Sequence, residues 1–74
     1  MESIFSIRLH NLREDADLNQ THLAKAVNMT QRKISYMECG KFEPSLGDIV
    51  ALCRFFSVSA DYLLGLSDER SPKK

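Results

Sequence analysis

An all-α domain of about five short helices is the fold class this sequence predicts, and three observations predict it. Apolar residues recur at three- and four-residue spacings, and no stretch alternates convincingly with period two. Small polar residues stand just ahead of the apolar runs, where helix N-caps belong, and Gly or Asn closes several of them. Finally, 74 residues at 43% apolar and 27% charged make one small domain, neither disordered nor fibrous in composition.

Each element follows in order. Ser3 is placed to cap a first helix whose inward face is Phe5, Leu9, Leu12 and Ala16. Asn19 caps a second, Gln20–Val27, with Leu23, Ala24 and Val27 inward. Asn28 and Met29 lead to Thr30, the cap of a third helix, Gln31–Cys39, with Ile34 and Met37 inward. Gly40 follows where a left-handed backbone is needed. Lys41–Pro44 is the longest connection. Ser45 caps a fourth helix through Phe56, with an apolar face of Leu46, Ile49, Val50, Leu52, Cys53 and Phe56. Ser59 caps a short fifth, Ala60–Leu64, stopped by Gly65. A single domain over residues 1–66 is expected, followed by a polar, flexible tail over 67–74.

Several function classes recede on counting alone. Cys39 and Cys53 could make only one bridge, so neither a disulfide framework nor an all-cysteine zinc site is available. Neither Cys39 with Cys53 nor His10 with His22 forms a close ligand pair, which disfavours a mixed zinc site. Cys53 reads as a small buried hydrophobe. No apolar run approaches the roughly 18–20 residues of a membrane span, and no basic leader precedes the first helix, so the chain reads as soluble and cytoplasmic. His10, His22, Asp15 and Asp17 form no triad, metal cluster or carboxylate pair, so no enzymatic activity and no cofactor are expected.

Net charge is zero, but it is unevenly spread. Residues 1–19 set Arg8 and Arg13 against Glu2, Glu14, Asp15 and Asp17. Residues 20–41 set Lys25, Arg32, Lys33 and Lys41 against Glu38 alone, the only positive third of the chain. A localised positive patch matters more to a polyanionic partner than the total does.

That same third carries the informative constellation. Two short helices crossing steeply through a three- to four-residue turn make demands at fixed positions. Counting from Gln20, the fifth residue must be small and is Ala24. The ninth must accept positive φ and is Asn28, the residue that tolerates it best after Gly. The fourth, eighth, tenth, fifteenth and eighteenth should be apolar, and are Leu23, Val27, Met29, Ile34 and Met37. A helix-turn-helix satisfies all of these together.

The stretch Leu9–Gly65 resembles the Cro/repressor-type (XRE-type) helix-turn-helix domain. The matching elements are Leu12-Arg13, Asn19–Ala24, Thr30–Lys41, Pro44 and Val58–Gly65. The resemblance implies a five-helix, lambda-repressor-like DNA-binding domain that acts as a homodimeric repressor on a near-palindromic operator of double-stranded DNA. By its pattern, Gln31, Arg32 and Tyr36 face the major groove. Gln can bond adenine N6/N7 and Arg can bond guanine O6/N7, each in bidentate fashion. Asn19, Gln20, Lys33 and Lys41 are the implied phosphate contacts, with Lys25 less well aimed. Arg13 and Glu38 are implied to form a structural ion pair rather than a binding site. Cys39 and Ser45 depart from the family pattern, at places where an Asn and a groove-reaching Arg are common.

Two further readings remain open on the sequence. Tyr62, Leu63, Leu64 and Leu66 either all tuck into the core or contribute in part to a two-fold contact. Ser71–Lys74 is either a solvated end or a basic tail reaching a minor groove. A different function is also compatible with the fold: a protein-interaction module, an antirepressor or antitoxin, using the fifth helix with Ile4 and Ile7 of the first.

Overall fold

A computed structural model describes residues 3–71. Five helices form, α1 Ile4–Asp15, α2 Gln20–Ala26, α3 Gln31–Glu38, α4 Leu46–Phe56 and α5 Ala60–Leu64, with no strand among the described residues. Each starts where a short polar side chain can take up an orphan N–H of the first turn. Ser3, Asn19, Thr30, Ser45 and Ser59 accept from the backbone N–H groups of Ser6, His22, Lys33, Asp48 and Tyr62. In α1 and α4 the cap is reciprocal, because Ser6 and Asp48 return a bond to the N-cap backbone.

The terminators also follow local chemistry. Past α2, Asn28 adopts φ 58°, and Met29 N–H donates to the Ala24 carbonyl at 2.7 Å. Past α3, Gly40 adopts φ 75°, and Lys41 N–H reaches the Tyr36 carbonyl at 2.9 Å. Both are Schellman closures, and the first is the turn of the helix-turn-helix. The expected ends of the second and third helices, Val27 and Cys39, are C-caps rather than helical residues.

α2 packs on α3, α1 packs on α3 and α5, and α4 packs on α5. Leu9, Leu23, Ile34, Met37, Leu52 and Leu63 are fully enclosed at the centre, so all five helices meet one core. This arrangement fixes the inner side of α3 and thereby its outer side.

Two expectations need correction. Ala16 is the C-cap of α1 and is exposed, because the helix ends before its next inward position. On α4, Ile49 and Leu52 are buried and Cys53 and Phe56 partly so, but Leu46 is 87% exposed and Val50 48%. Four short neighbours cannot cover an apolar stripe that wide.

The segment after residue 66 makes contacts back to the helices through Arg70. Ser59 N–H donates to the Arg70 carbonyl at 2.8 Å, and Arg8 donates to the carbonyls of Tyr62 and Ser67 and to Asp68. The Arg8 and Arg70 guanidinium groups lie 4.2 and 5.5 Å from the Tyr62 ring centre, and Arg70 pairs with Asp15. Of the basic tail, Pro72, Lys73 and Lys74 lie outside the described residues.

Candidate nucleic-acid interface

On α3, Ile34 and Met37 have no exposure and Glu38 has 8%, while Arg32 and Tyr36 are exposed on the outer side and Gln31, on the same stripe as Glu38 seven residues later, is exposed at its edge. Thr30 starts this helix with its hydroxyl accepting from Lys33 N–H at 3.1 Å, which places Gln31 and Arg32 in its first turn. Tyr36 is one turn further on. All three sequence-predicted base readers therefore lie on one solvent-facing surface, and no salt bridge among the described residues holds Arg32.

Behind that surface lies a polar cluster centred on Glu38. Its Oε2 accepts from Arg13 Nε at 2.7 Å, and its Oε1 accepts from Arg13 Nη2 at 3.0 Å, a bidentate pair between α1 and α3. Arg13 Nη1 also donates to the Leu18 carbonyl at 2.8 Å, tying the α1–α2 connection to the same group. The two side chains are 11% and 5% exposed, so the pair is largely desolvated. Burial pushes the Glu38 carboxyl up, but hydrogen bonds from Arg13, His10 and Gln20 outweigh it and hold the group below the ordinary carboxylate range. Arg13 is raised in turn, chiefly by its bonds to Glu38.

Two members of this cluster are not evident from the sequence. His10 Nδ1 lies 2.9 Å from Glu38 Oε1, with Glu14 Oε1 3.4 Å from its other ring nitrogen. Gln20 Nε2 donates to Glu38 Oε1 at 3.3 Å, and Gln20 Oε1 accepts from Gln31 Nε2 at 2.7 Å. His10 and Arg13 are three apart on one face of α1, a spacing that would have placed both against one partner. No local pattern signals the link between Gln20 and Gln31, which are brought together by the helix crossing.

The residues expected at phosphates are distributed unevenly. Asn19 is exposed, and its Oδ1 accepts from His22 N–H at 2.7 Å, the role of a cap. Gln20 is partly buried between Glu38 and Gln31. Lys41 is exposed beside the end of α3, and Lys25 is exposed on α2; no salt bridge among the described residues holds either. The ammonium of Lys33 is 2.7 Å from Asp48 Oδ1 and 5.4 Å from the Phe42 ring centre. Asp48 is buried, which pushes its carboxyl up, but Lys33 and the Ser45 cap hold it below the usual range. Lys33 is thus drawn inward by a desolvated carboxylate and clamps α3 to α4.

Comparison with known proteins places these features among a recognisable set. A family model described as a helix-turn-helix domain matches residues 4–68. An uncharacterized HTH-type transcriptional regulator, YobD of Bacillus subtilis (strain 168), is 35% identical over 66 residues, 89% of this chain and 59% of that protein. The HTH-type transcriptional activator BcrR of Enterococcus faecalis is 35% identical over 60 residues, 81% of this chain and 29% of that protein. The chain therefore spans less than two thirds of either curated relative.

Among solved structures, the P22 c2 repressor in complex with synthetic operator 9T superimposes with a TM-score of 0.82 at 28% identity, covering 88% of this chain and 98% of that one. The solution structure of the P22 c2 repressor DNA-binding domain gives 0.78 at 28% identity, with 95% of each chain covered.

Proposed function

Because the chain belongs to the helix-turn-helix domain family, we propose that it is a sequence-specific DNA-binding regulator of transcription, a repressor that binds a palindromic operator as a homodimer. The observation that carries this reading is the outward display of Gln31, Arg32 and Tyr36 on a helix whose other side is locked in the core. The operator complex of the similar P22 repressor supports double-stranded DNA as the partner. Gln31 and Arg32 read base edges, and Tyr36 adds a ring edge for a thymine methyl and a hydroxyl for a base or phosphate. Asn19, Gln20 and Lys41 hold the backbone.

The two-fold contact is assigned to the apolar surface of α4 and α5. Tyr62 and Leu63 are buried, whereas Leu64 is 47% exposed and Leu66 76%. Ile4, Leu46 and Val50 are exposed too, and Leu46, Val50 and Leu64 line one groove, the kind of exposed apolar surface that serves contacts with other molecules. Pairing through this surface sets two recognition helices about 34 Å apart, one turn of DNA.

Selection of bound sequences from random duplex DNA tests the proposal. The expected product is an inverted repeat with half-sites spaced by one helical turn. A reporter carrying that repeat near its promoter then separates repression from the activation named for the Enterococcus relative. The exposed Ile4, Ile7, Leu64 and Leu66 also favour a second reading, a module that binds another protein. No enriched sequence at low salt, together with stable capture of a partner through those residues, establishes that second reading instead.

A further inference from the structure

The caps of α1 and α4 share one reciprocal arrangement but differ in the side chain that closes it. In α1 this is Ser6, whose hydroxyl accepts from Ser3 N–H at 2.8 Å. In α4 it is Asp48, whose Oδ2 accepts from Ser45 N–H at 2.9 Å while Ser45 Oγ accepts from Asp48 N–H at 3.1 Å. A neutral hydroxyl therefore closes such a cap, and the cap alone does not call for a charge. The positive end of α4 favours an acid here, but it does not require a lysine to be brought to it. The remaining oxygen, Asp48 Oδ1, is taken up by Lys33 of α3 at 2.7 Å.

Lys33 follows Arg32 in the first turn of α3, beside the reading surface. Of Lys25, Arg32, Lys33 and Lys41, the cations of the positive third, Lys33 alone has a salt bridge among the described residues. A lysine is a flexible point charge that can meet a phosphate in many registers, so a free Lys33 would add to the sequence-independent hold on DNA. The two anions compete unequally for it. The Asp48 side chain is 8% exposed, and losing Lys33 would leave a desolvated carboxylate with the Ser45 cap alone. A phosphate contact at the wet surface offsets little of that, because exposed pairs are weak and screened.

Resting on the reading of α3 as the helix that faces DNA, we propose that Asp48 is a positioning residue for DNA binding: an internal counter-ion that withholds Lys33 from the phosphates. Sequence-independent affinity is thereby set one cation lower, and discrimination is left to the outer side of α3.

The experiment uses the full chain. Asp48→Ser keeps a hydroxyl for the cap, as Ser6 provides in α1, and Asp48→Asn keeps the shape of the side chain without its charge. Lys33→Met, alone and combined with Asp48→Ser, completes the set. Affinity for a selected duplex and for a random one is measured against salt, beside a thermal melt of each variant. Both Asp48 variants should bind both duplexes more tightly, on the order of fivefold at about 50 mM salt, and the slope of log K against log salt should steepen by about 0.9. Lys33→Met alone and the double variant should both keep the wild-type slope. The ratio between selected and random duplex should stay where it is throughout.

A merely structural role for Asp48 would lower the melting temperature without steepening the slope. A wild-type slope in a folded Asp48 variant overturns the proposal and leaves DNA binding by α3 standing. A steepening that persists in the double variant also overturns it, since Asp48 would then repel phosphates directly rather than through Lys33. A slope that falls in Lys33→Met alone does the same, because DNA would already be taking Lys33. If the wild-type protein binds no duplex at any salt, the reading of α3 fails and the proposal fails with it. Should one Asp48 variant not fold, the other decides.

Discussion

Two exposed surfaces of this small domain are built from opposite materials. The outer side of α3 presents an amide, a guanidinium and a phenol, and behind it stands a desolvated ion pair with further donors. The outer side of α4 and α5 presents Leu46, Val50 and Leu64, with Leu66 just beyond, over an apolar core, while the desolvated Asp48 of α4 is committed to Lys33 of α3. The difference teaches what each surface is suited to meet. Groups with fixed hydrogen-bonding direction discriminate among base edges, whereas a bare apolar surface gains by leaving water and discriminates mainly by shape. A regulator acting as a dimer needs one of each.

The sharpest way to break the contrast is to remove the polar support behind α3. Glu38→Ala leaves Arg13 buried without its carboxylate, and it should cost about 3–5 kcal/mol. In a domain of this size that corresponds to a fall in Tm on the order of 20 °C, measurable by calorimetry. The same support should be acid-sensitive. Glu38 and Asp48 are both held below the ordinary carboxylate range in the folded state. Their contribution is present above the unfolded value of about 4 and is lost as pH falls through the lower folded values, where the unfolded chain binds more protons. Urea titrations across that window should show stability falling with pH, and the slope should flatten in Asp48→Asn.

Much of this architecture is legible in the sequence because it is local. Five short polar caps and the turn residues Asn28, Gly40 and Gly65 act within four or five positions of themselves, and the structure places each where its type demands. The outer surface of α3 is legible for the same reason, since a 3.6-residue period needs no knowledge of the partner. What was not legible depends on distant parts of the chain. Lys33 looks like any exposed lysine until α4 brings Asp48 to it. The segment Ser67–Arg70 reads as loose because its main partner, Arg8, stands some sixty positions earlier in the chain. Leu46 and Val50 read as core because periodicity reports apolarity, not whether a neighbour is present to cover it.

A smaller expected effect sharpens the apolar side of the contrast. Leu64→Glu sets a charge in the assigned two-fold contact without touching the enclosed core. Monomer stability should change by no more than about 0.5 kcal/mol, while dimer formation should weaken by about 2 kcal/mol or more. Analytical ultracentrifugation at graded concentrations reads the second quantity. An unchanged association constant would remove this surface from the dimer and leave it to another partner.

On α3 itself, Arg32→Ala should lose about 1–3 kcal/mol on the selected sequence and relax one base pair in each half-site, with little loss on random duplex. An equal loss on both would move Arg32 from reading bases to holding phosphates.

The finest comparison separates two lysines that the sequence makes look alike. Lys41 is exposed at the end of α3, and Lys33 is held by buried Asp48. If Lys41 neutralises a phosphate, Lys41→Ala should weaken binding to all duplexes alike and reduce the slope of log K against log salt by about 0.9. Lys33→Ala should leave that slope where it was, because its ammonium already has an anion. Its cost should appear instead in the thermal melt, as about 1 kcal/mol from a carboxylate deprived of a donor. A salt slope that moves with Lys33 and not with Lys41 would mean that DNA draws Lys33 away from Asp48. The clamp between α3 and α4 would then open on binding rather than hold through it.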